Sequence, residues 1–487
     1  MAFSLDSVKF LNGVAIAVRV VLTVFVCRSY LRGLTTSSLA PCLTSGLRCS
    51  FISTATAARR IRVVGDGLGR GGRRGVGSVR GFKSDMGVRG REREPPAFAF
   101  AFDIDGVLLH VAKPIPGAPE VLKFLNDYNI PFILLTNGGG KHETERVKDL
   151  SERLGVPLST DNFVQSHTPF RDLVEGPGSL RDKTVLVTGS DYEKCRAIFK
   201  EYGFKNVITP ADIYAADPTI FPFQPPHTFT TPPQPLPKPL YNETTATSPP
   251  SADTHLKVDA MFVLNDPRDW ALDIQIITDL LLSHAGFPGT YSPLNNTDSN
   301  GGGGGGWQQD NQPPLYFSNA DLLWSANYPL PRFGQGAFQA ALAGLWARVT
   351  GGGGELRRTS IGKPYGETYR FAERVLGDHR QGVLKAMGGH QHQHQQGVVG
   401  SPPLGRVYMV GDNPESDIAG ANGHVSEQGT EWVSVLVKTG VWSESRGGRL
   451  EGGLKPKVVV DDVMAAVKWA LRKEGWAQGE EGGEGLR

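Results

Sequence analysis

Short apolar segments alternate with amphipathic segments along the chain after Pro96, and no other sequence feature limits the fold as strongly. Residues 97–102 are apolar and stop at Asp103, residues 116–129 have apolar positions at helical spacing, and residues 131–135 are apolar again. A short, fully apolar run is typical of a strand that is buried on both faces of a parallel sheet. The order strand, helix, strand therefore predicts a βαβ unit and an α/β protein.

The same alternation continues to the end of the chain. We predict further strands at residues 184–187, 258–264, 407–410, 432–437 and 457–460, and further helices at residues 192–202, 270–283, 366–376 and 463–473. Strands that alternate with helices in this way form parallel sheets with helices on both faces. The fold class that we expect is a doubly wound, Rossmann-like parallel sheet.

The first 94 residues differ in composition from the rest of the chain. They are rich in Arg, Ser, Thr, Ala and Gly, and acidic residues are almost absent before Glu92. Such a segment is typical of an organelle transit peptide, so we expect the mitochondrial matrix, with a chloroplast as the alternative. The apolar residues 10–27 are interrupted by Asn12 and Arg19. A spanning helix needs about 20 apolar residues, so we predict no transmembrane span; an anchor or a secretory signal are the alternatives.

Two strings in this leader imitate binding motifs. Residues 61–72 resemble a strand that enters a dinucleotide-binding glycine loop, but the Arg/Gly-rich residues 73–81 are a poor continuation for the helix that this motif needs. Arg-Gly repeats can also bind RNA. A basic, glycine-rich leader explains both strings more simply, and the net charge of +2 favours no particular partner. We therefore expect no nucleic-acid partner.

Four cysteines occur without a Cys-x-x-Cys pair, which indicates neither a zinc site nor a disulfide framework. Four low-complexity segments interrupt the strand and helix pattern, at residues 222–250, 292–314, 351–354 and 388–403. Such compositions bury little apolar surface, so we expect disordered surface insertions there and a disordered tail at residues 476–487. His390, His392 and His394 could catch a metal, but a flexible tract gives them no fixed geometry.

Acidic side chains stand at the end of the first predicted strand. Asp103 and Asp105 follow it directly, and Gly106 comes next. Open parallel sheets bind ligands at the carboxyl ends of their strands. Two carboxylates at that place repel each other, and a divalent cation such as Mg²⁺, which prefers oxygen ligands, is the usual resolution. The alternative is a solvated Asp-x-Asp-Gly turn.

Polar residues follow the neighbouring predicted elements as well. Thr136 ends the next strand, so its hydroxyl and the amides of Asn137 and Gly138 can hold phosphate oxygens. Lys363 precedes the helix predicted at residues 366–376, where it supplies a compact positive charge for a phosphoryl group. Taken singly, Thr136 could be an ordinary strand end and Lys363 a surface lysine.

A third predicted strand also ends in an acid. Asp412 follows residues 407–410, and Asp417 lies close behind it. Asp412 could instead cap the next helix. The order of these residues along the chain, each at the end of a strand or helix, is harder to obtain by chance than any one of them.

Four strings in this order resemble the signatures of the haloacid dehalogenase-like hydrolase superfamily. They are Asp103-Ile-Asp105-Gly, Thr136-Asn137, Lys363-Pro364, and Gly411-Asp412 through Asp417. The resemblance covers about residues 97–473. The long segment between the second and third signatures is where class IIA members insert a large α/β cap of the C2 type. We therefore expect a core at residues 95–158 and 355–475 and a cap at residues 159–349.

Other strings look like one mitochondrial subgroup, the cat-eye-syndrome-critical-region-type hydrolases. They are Leu135-Thr-Asn-Gly-Gly-Gly, Phe317-Ser-Asn-Ala-Asp-Leu-Leu-Trp, Pro331-Arg-Phe-Gly-Gln-Gly-Ala-Phe and Leu436-Val-Lys-Thr-Gly-Val-Trp. Some fungal relatives in this subgroup carry a fused alcohol phosphatidyltransferase domain, which suggests a link to glycerophospholipid metabolism. This chain has no run of spanning helices, so we expect it to lack that domain.

The resemblance implies a magnesium-dependent phosphatase that hydrolyses a small phosphate monoester through an aspartyl-phosphate. By this resemblance Asp103 is the nucleophile and Asp105 is the general acid and base. Lys363 and Thr136 neutralise the phosphate oxygens in the transition state. Ion-pumping relatives carry Thr two residues after the nucleophile, so Asp105 favours hydrolysis of a phosphoester.

The resemblance also implies the metal ligands. Asp103, the backbone carbonyl of Asp105, and Asp412 would hold Mg²⁺, while Asp417 would hold a metal-bound water or orient Lys363. Two alternatives to a hydrolase stay open. One is a non-catalytic protein that binds a phosphorylated ligand or a partner, and the other is a phosphotransferase that passes the phosphoryl group to an alcohol.

The cap decides the substrate in this class of enzyme. Five polar residues of the predicted cap are expected either to face the active site or to cap loops: Asn265, Asp266, Asn319, Asp321 and Arg332. The partner that we expect is a small phosphorylated metabolite. The sequence is also compatible with a homodimer.

Overall fold

The computed structural model describes residues 95–223, 229, 232–297, 305–324, 326, 328, 330–388, 403–444 and 449–476. The predicted leader, the three histidines of the Gly/Gln-rich tract and the tail beyond residue 476 lie outside these residues. The strands are β1 (Phe98–Phe102), β2 (Leu109–His110), β3 (Lys113–Pro114), β4 (Phe132–Thr136), β5 (Phe163–Gln165), β6 (Thr184–Thr188), β7 (Asn206–Ile208), β8 (Ala260–Val263), β9 (Leu315–Phe317), β10 (Leu323–Trp324), β11 (Arg332–Phe333), β12 (Thr359–Ser360), β13 (Arg406–Gly411), β14 (Glu431–Val437) and β15 (Val458–Val460). The helices are α1 (Ala118–Asp127), α2 (Glu143–Leu154), α3 (Tyr192–Glu201), α4 (Pro210–Ala216), α5 (Trp270–Leu282), α6 (Gln335–Val349), α7 (Gly366–Gly388), α8 (Ala419–Gly423) and α9 (Val463–Lys473).

The core sheet has six parallel strands in the order β15-β14-β13-β1-β4-β5. The chain first adds β4 and β5 on one side of β1 and later adds β13, β14 and β15 on the other. The strand order therefore reverses between β1 and β13, which is where open α/β sheets bind their ligands. Phe102 pairs with Val410 and with Leu134, so the carboxyl ends of β1, β13 and β4 lie side by side.

Alternate residues of β1 explain why its whole apolar run is buried. The three phenylalanines Phe98, Phe100 and Phe102 pack into the cluster that contains α1, α2 and α9. Ala99 and Ala101 face the other side of the sheet, where α7 packs. Burying a phenylalanine side chain stabilises a fold by about 1.5–3 kcal/mol. The doubly wound core predicted from sequence is confirmed.

A second parallel sheet forms the cap, with the strand order β12-β9-β8-β6-β7. Helices α4, α5 and α6 cover one face of it and α3 covers the other. Two antiparallel hairpins, β2–β3 in the core and β10–β11 in the cap, follow β1 and β9 closely. No helix among the described residues combines the length and the apolar character that a membrane crossing requires.

The borders between core and cap differ from those expected at residues 159 and 349. Strand β5 pairs with β4 in the core sheet, so the cap begins after Gln165. Strand β12 pairs with β9 in the cap sheet, so the cap ends after Ser360. Strands of two or three residues carry almost no periodicity, and their membership of a sheet is decided by their partners.

Two segments that we expected to be disordered contact the cap where the structure describes them. Leu236 packs against the apolar cluster of the cap, and the Gln234 amide donates a 2.7 Å hydrogen bond to Asp212. Trp307 is buried and meets Trp346 edge-on. A few apolar side chains are enough to anchor a Pro- or Gly-rich segment. They contribute little to its average composition, which is why the composition predicted disorder.

Candidate active site

Asp103 lies at the point where the strand order of the core sheet reverses. Its backbone amide donates to Val410 O at 2.9 Å, which continues the pairing of β1 with β13 for one more residue. The carboxylate is buried, and its Oδ1 accepts a 2.7 Å hydrogen bond from Lys363 Nζ. The end of β1 thus holds the carboxyl group at the carboxyl edge of the sheet.

Lys363 reaches Asp103 from the end of the cap segment and is 1% exposed. Its Nζ donates to Asp103 Oδ1 at 2.7 Å, to Asp417 Oδ1 at 2.6 Å and to Leu135 O at 2.9 Å, so all three ammonium protons are used. Burial by itself lowers the pKa of Lys363, but the charges of Asp103 and Asp417 outweigh it and raise that pKa. The lysine is therefore a permanent cation.

Asp412 and Asp417 lie on the loop after β13. The π-helical turn Pro414–Ile418 folds back so that Asp417 Oδ2 accepts from the amides of Asp412 (3.1 Å) and Asn413 (3.0 Å). Asp412 Oδ2 accepts from the Val441 amide at 2.6 Å. Both oxygens of Asp417 are thus bonded to protein groups, which fixes the carboxylate that faces Lys363.

Two glycines allow the Asp412 carboxylate to be buried at this place. A Cβ at Gly440 would lie 1.9 Å from Asp412 Oδ2, and a Cβ at Gly106 would lie 2.5 Å from the same atom. Gly106 also has φ +94°, a backbone conformation that side-chain-bearing residues rarely adopt. The Asp-x-Asp-Gly string therefore needs its glycine for space as well as for backbone conformation.

The three buried acids form a candidate site for a cation. One oxygen each of Asp103, Asp412 and Asp417 lies within 4.8 Å of the others. Burial raises the pKa of Asp103 to about 7 in spite of Lys363, and burial together with Asp103 and Asp417 raises the pKa of Asp412 well above its ordinary range. Three carboxylates face one lysine, and all donors are oxygens, which fits a hard divalent cation such as Mg²⁺. The Asp105 side chain is not one of the three.

Asp105 has a different environment from the other acids. Its side chain is exposed to the cleft, yet protein surrounds most of the carboxyl group. This burial raises the pKa of Asp105, opposed by the charges of Arg146 and Lys363. The Asp105 carboxyl is therefore accessible to a ligand and holds its proton to a higher pH than an ordinary aspartate does.

The loop after β4 contains the residues that we expected to bind phosphate. Thr136 is buried, and its Oγ1 accepts a 2.9 Å hydrogen bond from the Gly138 amide, which leaves the hydroxyl proton to be donated. Asn137 Oδ1 accepts from Lys363 N at 2.7 Å, while Nδ2 donates to Lys363 O (2.9 Å) and to Asp321 Oδ2 (3.0 Å). Asn137 lines the cleft, and the bonds of its side-chain amide hold the backbone of Lys363 in place.

Core and cap enclose a cleft of about 570 Å³ above these residues. Of the cap residues expected from sequence, Asp266, Asn319 and Asp321 line the cleft. Asn265 is buried and accepts a 2.6 Å hydrogen bond from the Ser190 amide, so it shapes a loop. Arg332 is exposed on β11 and does not line the cleft.

The sequence interpretation did not identify several groups in the cleft. Four cations line its walls: Lys141, Arg146, Lys194 and Arg268. Lys141 and Arg146 are close in the chain and belong to the core, whereas Lys194 and Arg268 belong to the cap, so no single sequence motif contains all four. The Val441 amide, which donates to Asp412, belongs to the string at residues 436–442. Gly440 in that string was the sequence signal that could have indicated this contact.

Comparisons with known families agree with this architecture. The family profile described as Haloacid dehalogenase-like hydrolase matches residues 100–205, and a second profile, described as HAD-hydrolase-like, matches residues 360–466. The two matches include β1 and β4 on one side of the cap segment and β13 and β14 on the other.

Three proteins illustrate what the whole chain is similar to. A fusion protein of Schizosaccharomyces pombe, named as cardiolipin synthase (CMP-forming) and mitochondrial hydrolase, is 38% identical over 77% of this chain, which spans 53% of the fusion protein, about half its length. The p-nitrophenyl phosphatase of Archaeoglobus fulgidus has a TM-score of 0.46 at 17% identity, with 77% of this chain and 100% of that chain covered. A mitochondrial hydrolase of Saccharomyces cerevisiae is 38% identical over 391 residues, which cover 80% of this chain and 99% of that protein. Two haloacid dehalogenase-like profiles match the two parts of the core, and the similarity to the yeast hydrolase extends over nearly all of that protein, so the chain belongs to the haloacid dehalogenase-like hydrolase family.

Proposed function

We propose that the chain is a magnesium-dependent phosphatase that hydrolyses a phosphate monoester through an aspartyl-phosphate on Asp103. The observation that carries this proposal is the arrangement of charges at the end of β1. A buried carboxylate is bonded to a buried lysine, a second acid faces the cleft, and Asp412 and Asp417 lie alongside. This set supplies a nucleophile, a proton donor and positive charge for the phosphoryl oxygens.

Asp103 and Asp412 would hold Mg²⁺, with Asp417 behind them to orient Lys363 and the loop after β13. When bound, the cation neutralises the phosphate and the acids and so lowers the electrostatic barrier to attack by an anion. The surplus of carboxylates over lysine supports this assignment.

In the first step an Asp103 carboxylate oxygen attacks phosphorus, and the bond from phosphorus to the ester oxygen breaks. The leaving oxygen takes the electron pair and receives the proton of Asp105, which its raised pKa retains. Lys363, the Thr136 hydroxyl and the amides after β4 offset the negative charge that spreads over the phosphoryl oxygens. The alcohol then leaves the cleft.

In the second step a water oxygen attacks the phosphorus of the aspartyl-phosphate. The Asp105 carboxylate takes a proton from that water, and the bond from phosphorus to the Asp103 oxygen breaks. Inorganic phosphate leaves, and both aspartates return to their starting states. Splitting one displacement into two easier steps is the advantage of the covalent intermediate.

We further propose that the protein works in the mitochondrion and in glycerophospholipid metabolism. Two relatives at 38% identity are named as mitochondrial hydrolases, and one of them is fused to a cardiolipin synthase. The Arg- and Ser-rich, acid-poor leader supports the same compartment. Immunoblotting of purified mitochondria, with and without protease, should find the chain protected inside the organelle; a signal confined to the cytosol would reject this location.

The reaction is tested with the full chain, p-nitrophenyl phosphate and Mg²⁺. We expect phosphate release, and we expect Asp103→Asn to reduce the rate by about 10⁴-fold or more because the amide cannot attack phosphorus. Asp182→Asn is the matched control, since Asp182 is exposed and pairs only with Lys205 among the described residues. Retention of more than about a hundredth of the activity in Asp103→Asn would contradict the covalent mechanism.

A further inference from the structure

Exposed apolar side chains are concentrated around the β10–β11 hairpin, on the described residues 322–324, 326, 328 and 330–333, which we call the apolar ribbon. The exposed large apolar side chains of the described residues number fourteen, and six of them lie in this segment. The six are Leu322, Leu323, Trp324, Tyr328, Leu330 and Phe333. Phe333 is 69% and Leu330 62% exposed. Soluble proteins rarely leave such a patch uncovered unless it binds something apolar.

The apolar ribbon borders the mouth of the active-site cleft. It follows the carboxyl end of β9, and Leu323 and Trp324 line the cleft itself. Across the hairpin Leu323 pairs with Phe333, so these two side chains share one face of the ribbon. The apolar surface that Leu323 and Trp324 form in the cleft therefore continues across the hairpin to Phe333.

The walls of the same cleft carry positive charge. Apart from Lys363 and the acids Asp103, Asp105, Asp412 and Asp417, the charged residues of the cleft lining are four cations (Lys141, Arg146, Lys194 and Arg268) and two acids (Asp266 and Asp321). The four cations outnumber these two acids, and burial raises the pKa of both acids, to about 6 for Asp321. On the ribbon, the Arg332 guanidinium lies 4.6 Å from the centre of the Tyr328 ring. A basic cleft beside an apolar ribbon is complementary to an anionic headgroup beside acyl chains.

We propose that the apolar ribbon docks on a phospholipid bilayer and that the active site takes its phosphate monoester from a lipid in that bilayer. This inference rests on the phosphatase activity proposed above and names the substrate class of the same site. A soluble phosphate ester would use the basic cleft but not the ribbon. A lipid monoester uses both, because its phosphate and its apolar chains belong to one molecule. Leucine and aromatic side chains are those that insert at the bilayer interface.

The test compares a lipid substrate with a soluble one on the full chain, which carries the same leader in every variant. The lipid is dioleoyl phosphatidate in phosphatidylcholine vesicles, and the soluble substrate is p-nitrophenyl phosphate, both with Mg²⁺. The variant is Leu330→Ser combined with Phe333→Ser, neither of which lines the cleft. We expect it to lose about tenfold or more in rate on vesicles, because two inserted apolar side chains are removed. Its rate on p-nitrophenyl phosphate should stay within about twofold of the original.

A matched control replaces one aromatic and one leucine side chain that are exposed elsewhere on the cap. Tyr291 and Leu294 are 61% and 40% exposed and lie between the end of α5 and the start of β9. In a parallel sheet that position is at the amino ends of the strands, opposite the edge from which the ribbon extends. Tyr291→Ser combined with Leu294→Ser should therefore retain both rates.

Vesicle sedimentation separates the two proposals. If neither substrate is cleaved, the proposed phosphatase fails, while weaker sedimentation of the ribbon variant than of the control still supports docking. Equal sedimentation and equal vesicle rates of the ribbon and control variants would overturn the docking proposal. It is also overturned if the ribbon variant changes from dimer to monomer in size-exclusion chromatography while vesicle binding is unaltered, since the ribbon would then cover a second copy of the chain.

Discussion

The groups around Asp412 raise the free energy of its negatively charged form. Burial and the charges of Asp103 and Asp417 raise its pKa, although its Oδ2 accepts a hydrogen bond from the Val441 amide. Buried like charges of this kind are found at functional sites, where a bound cation relieves them. We therefore expect the charge of Asp412 to reduce the stability of the protein without a cation, and a bound cation to offset that cost.

Asp412→Asn should separate these two effects. The amide keeps the shape and removes the charge, so we expect a metal-free protein that is as stable as the original or about 1 kcal/mol more stable. The rise in Tm on adding Mg²⁺ should disappear, together with phosphatase activity. Thermal melts with EDTA and with Mg²⁺ measure both. A variant with an unchanged Mg²⁺-induced shift would show that Asp412 is not a ligand.

Asn137→Ala tests whether the Asn137 side chain positions Lys363. The substitution removes the hydrogen bonds to Lys363 N, Lys363 O and Asp321 Oδ2, which should cost about 1–3 kcal/mol of unfolding free energy. We expect kcat to fall with little change in KM, because protein groups already occupy the side-chain amide of Asn137. Asn206→Ala, which removes one exposed hydrogen bond to Asp182 O, should leave both unchanged. A change confined to KM would instead make Asn137 a substrate ligand.

Most of the residues in the site were predictable, but their partners were not. Asp103, Thr136 and Asp412 could be identified because each ends a buried strand, and the ends of parallel strands meet at one edge. The role of Asn137 could not be identified, because its partners lie 184 and 226 positions away. Local sequence shows where a polar group stands on its element, and only packing shows which atoms it meets.

At the scale of elements, the strands buried on both faces were the easiest to predict. Strands β1, β4 and β14 end within about one or two residues of their expected bounds, as is usual for such assignments. Helix α7 continues to Gly388, although we expected it to end at residue 376 before Gly377. Arg380, in the extended part, is buried and donates to Pro96 O at 3.1 Å. Tertiary contact thus outweighs Gly377 and Gly382, each of which costs a helix only about 1 kcal/mol.

Gly140, in the loop after β4, lies against the cap residue Asn265. Gly140 has φ +100°, and a Cβ there would lie 2.5 Å from Asn265 Nδ2. Gly140→Ala should therefore cost about 1–3 kcal/mol of unfolding free energy and reduce kcat, because the phosphate-binding loop must shift. Denaturant unfolding and steady-state kinetics measure the two effects.

The matched control for this loop is Gly155→Ala. Gly155 has φ +63° at the end of α2, but nothing lies within 4 Å of its added Cβ. It should lose about 1 kcal/mol from backbone strain alone and keep full activity. Equal kinetics in the two variants would mean that the contact between Gly140 and Asn265 does not position the loop.

At the scale of the whole molecule, core and cap share a buried polar network beside the first linker. His167 Nδ1 lies 2.8 Å from the Tyr202 hydroxyl, and that hydroxyl donates to Glu143 Oε1 at 2.5 Å. Burial lowers the pKa of His167 to about 4, against the charge of Glu143. The network therefore joins α2, the linker and the cap through a neutral histidine.

This network predicts how stability depends on pH. The pKa of His167 is lower in the folded chain than in the unfolded chain, so the unfolded chain takes up a proton first as the pH falls. The unfolding free energy is therefore highest above about pH 6.5 and decreases as the pH falls towards about 4. Between about pH 7.5 and pH 5 we expect it to remove about 2 kcal/mol of unfolding free energy. Urea unfolding measures this effect: over the same pH range, the unfolding free energy of His167→Gln should fall by about 2 kcal/mol less than that of the original chain.

His110→Gln is the control for this measurement, because His110 is exposed on β2. It should follow the original chain at each pH. If the His167→Gln curve also runs parallel to that of the original chain, His167 does not titrate during unfolding in this range. The network would then be a structural contact without a role in the response to pH.

The sequence by itself determined the parallel α/β core and the acids at its strand ends. These features depend on local apolar runs and on the rule that parallel strands bring their carboxyl ends together. Only the tertiary structure decided that Lys363 bonds Asp103 across 260 positions, that cations from separate elements line one cleft, and that the apolar ribbon lies exposed beside it. The physical reason is that burial, charge and hydrogen bonding at a site are sums over neighbours, and folding rather than chain order chooses the neighbours.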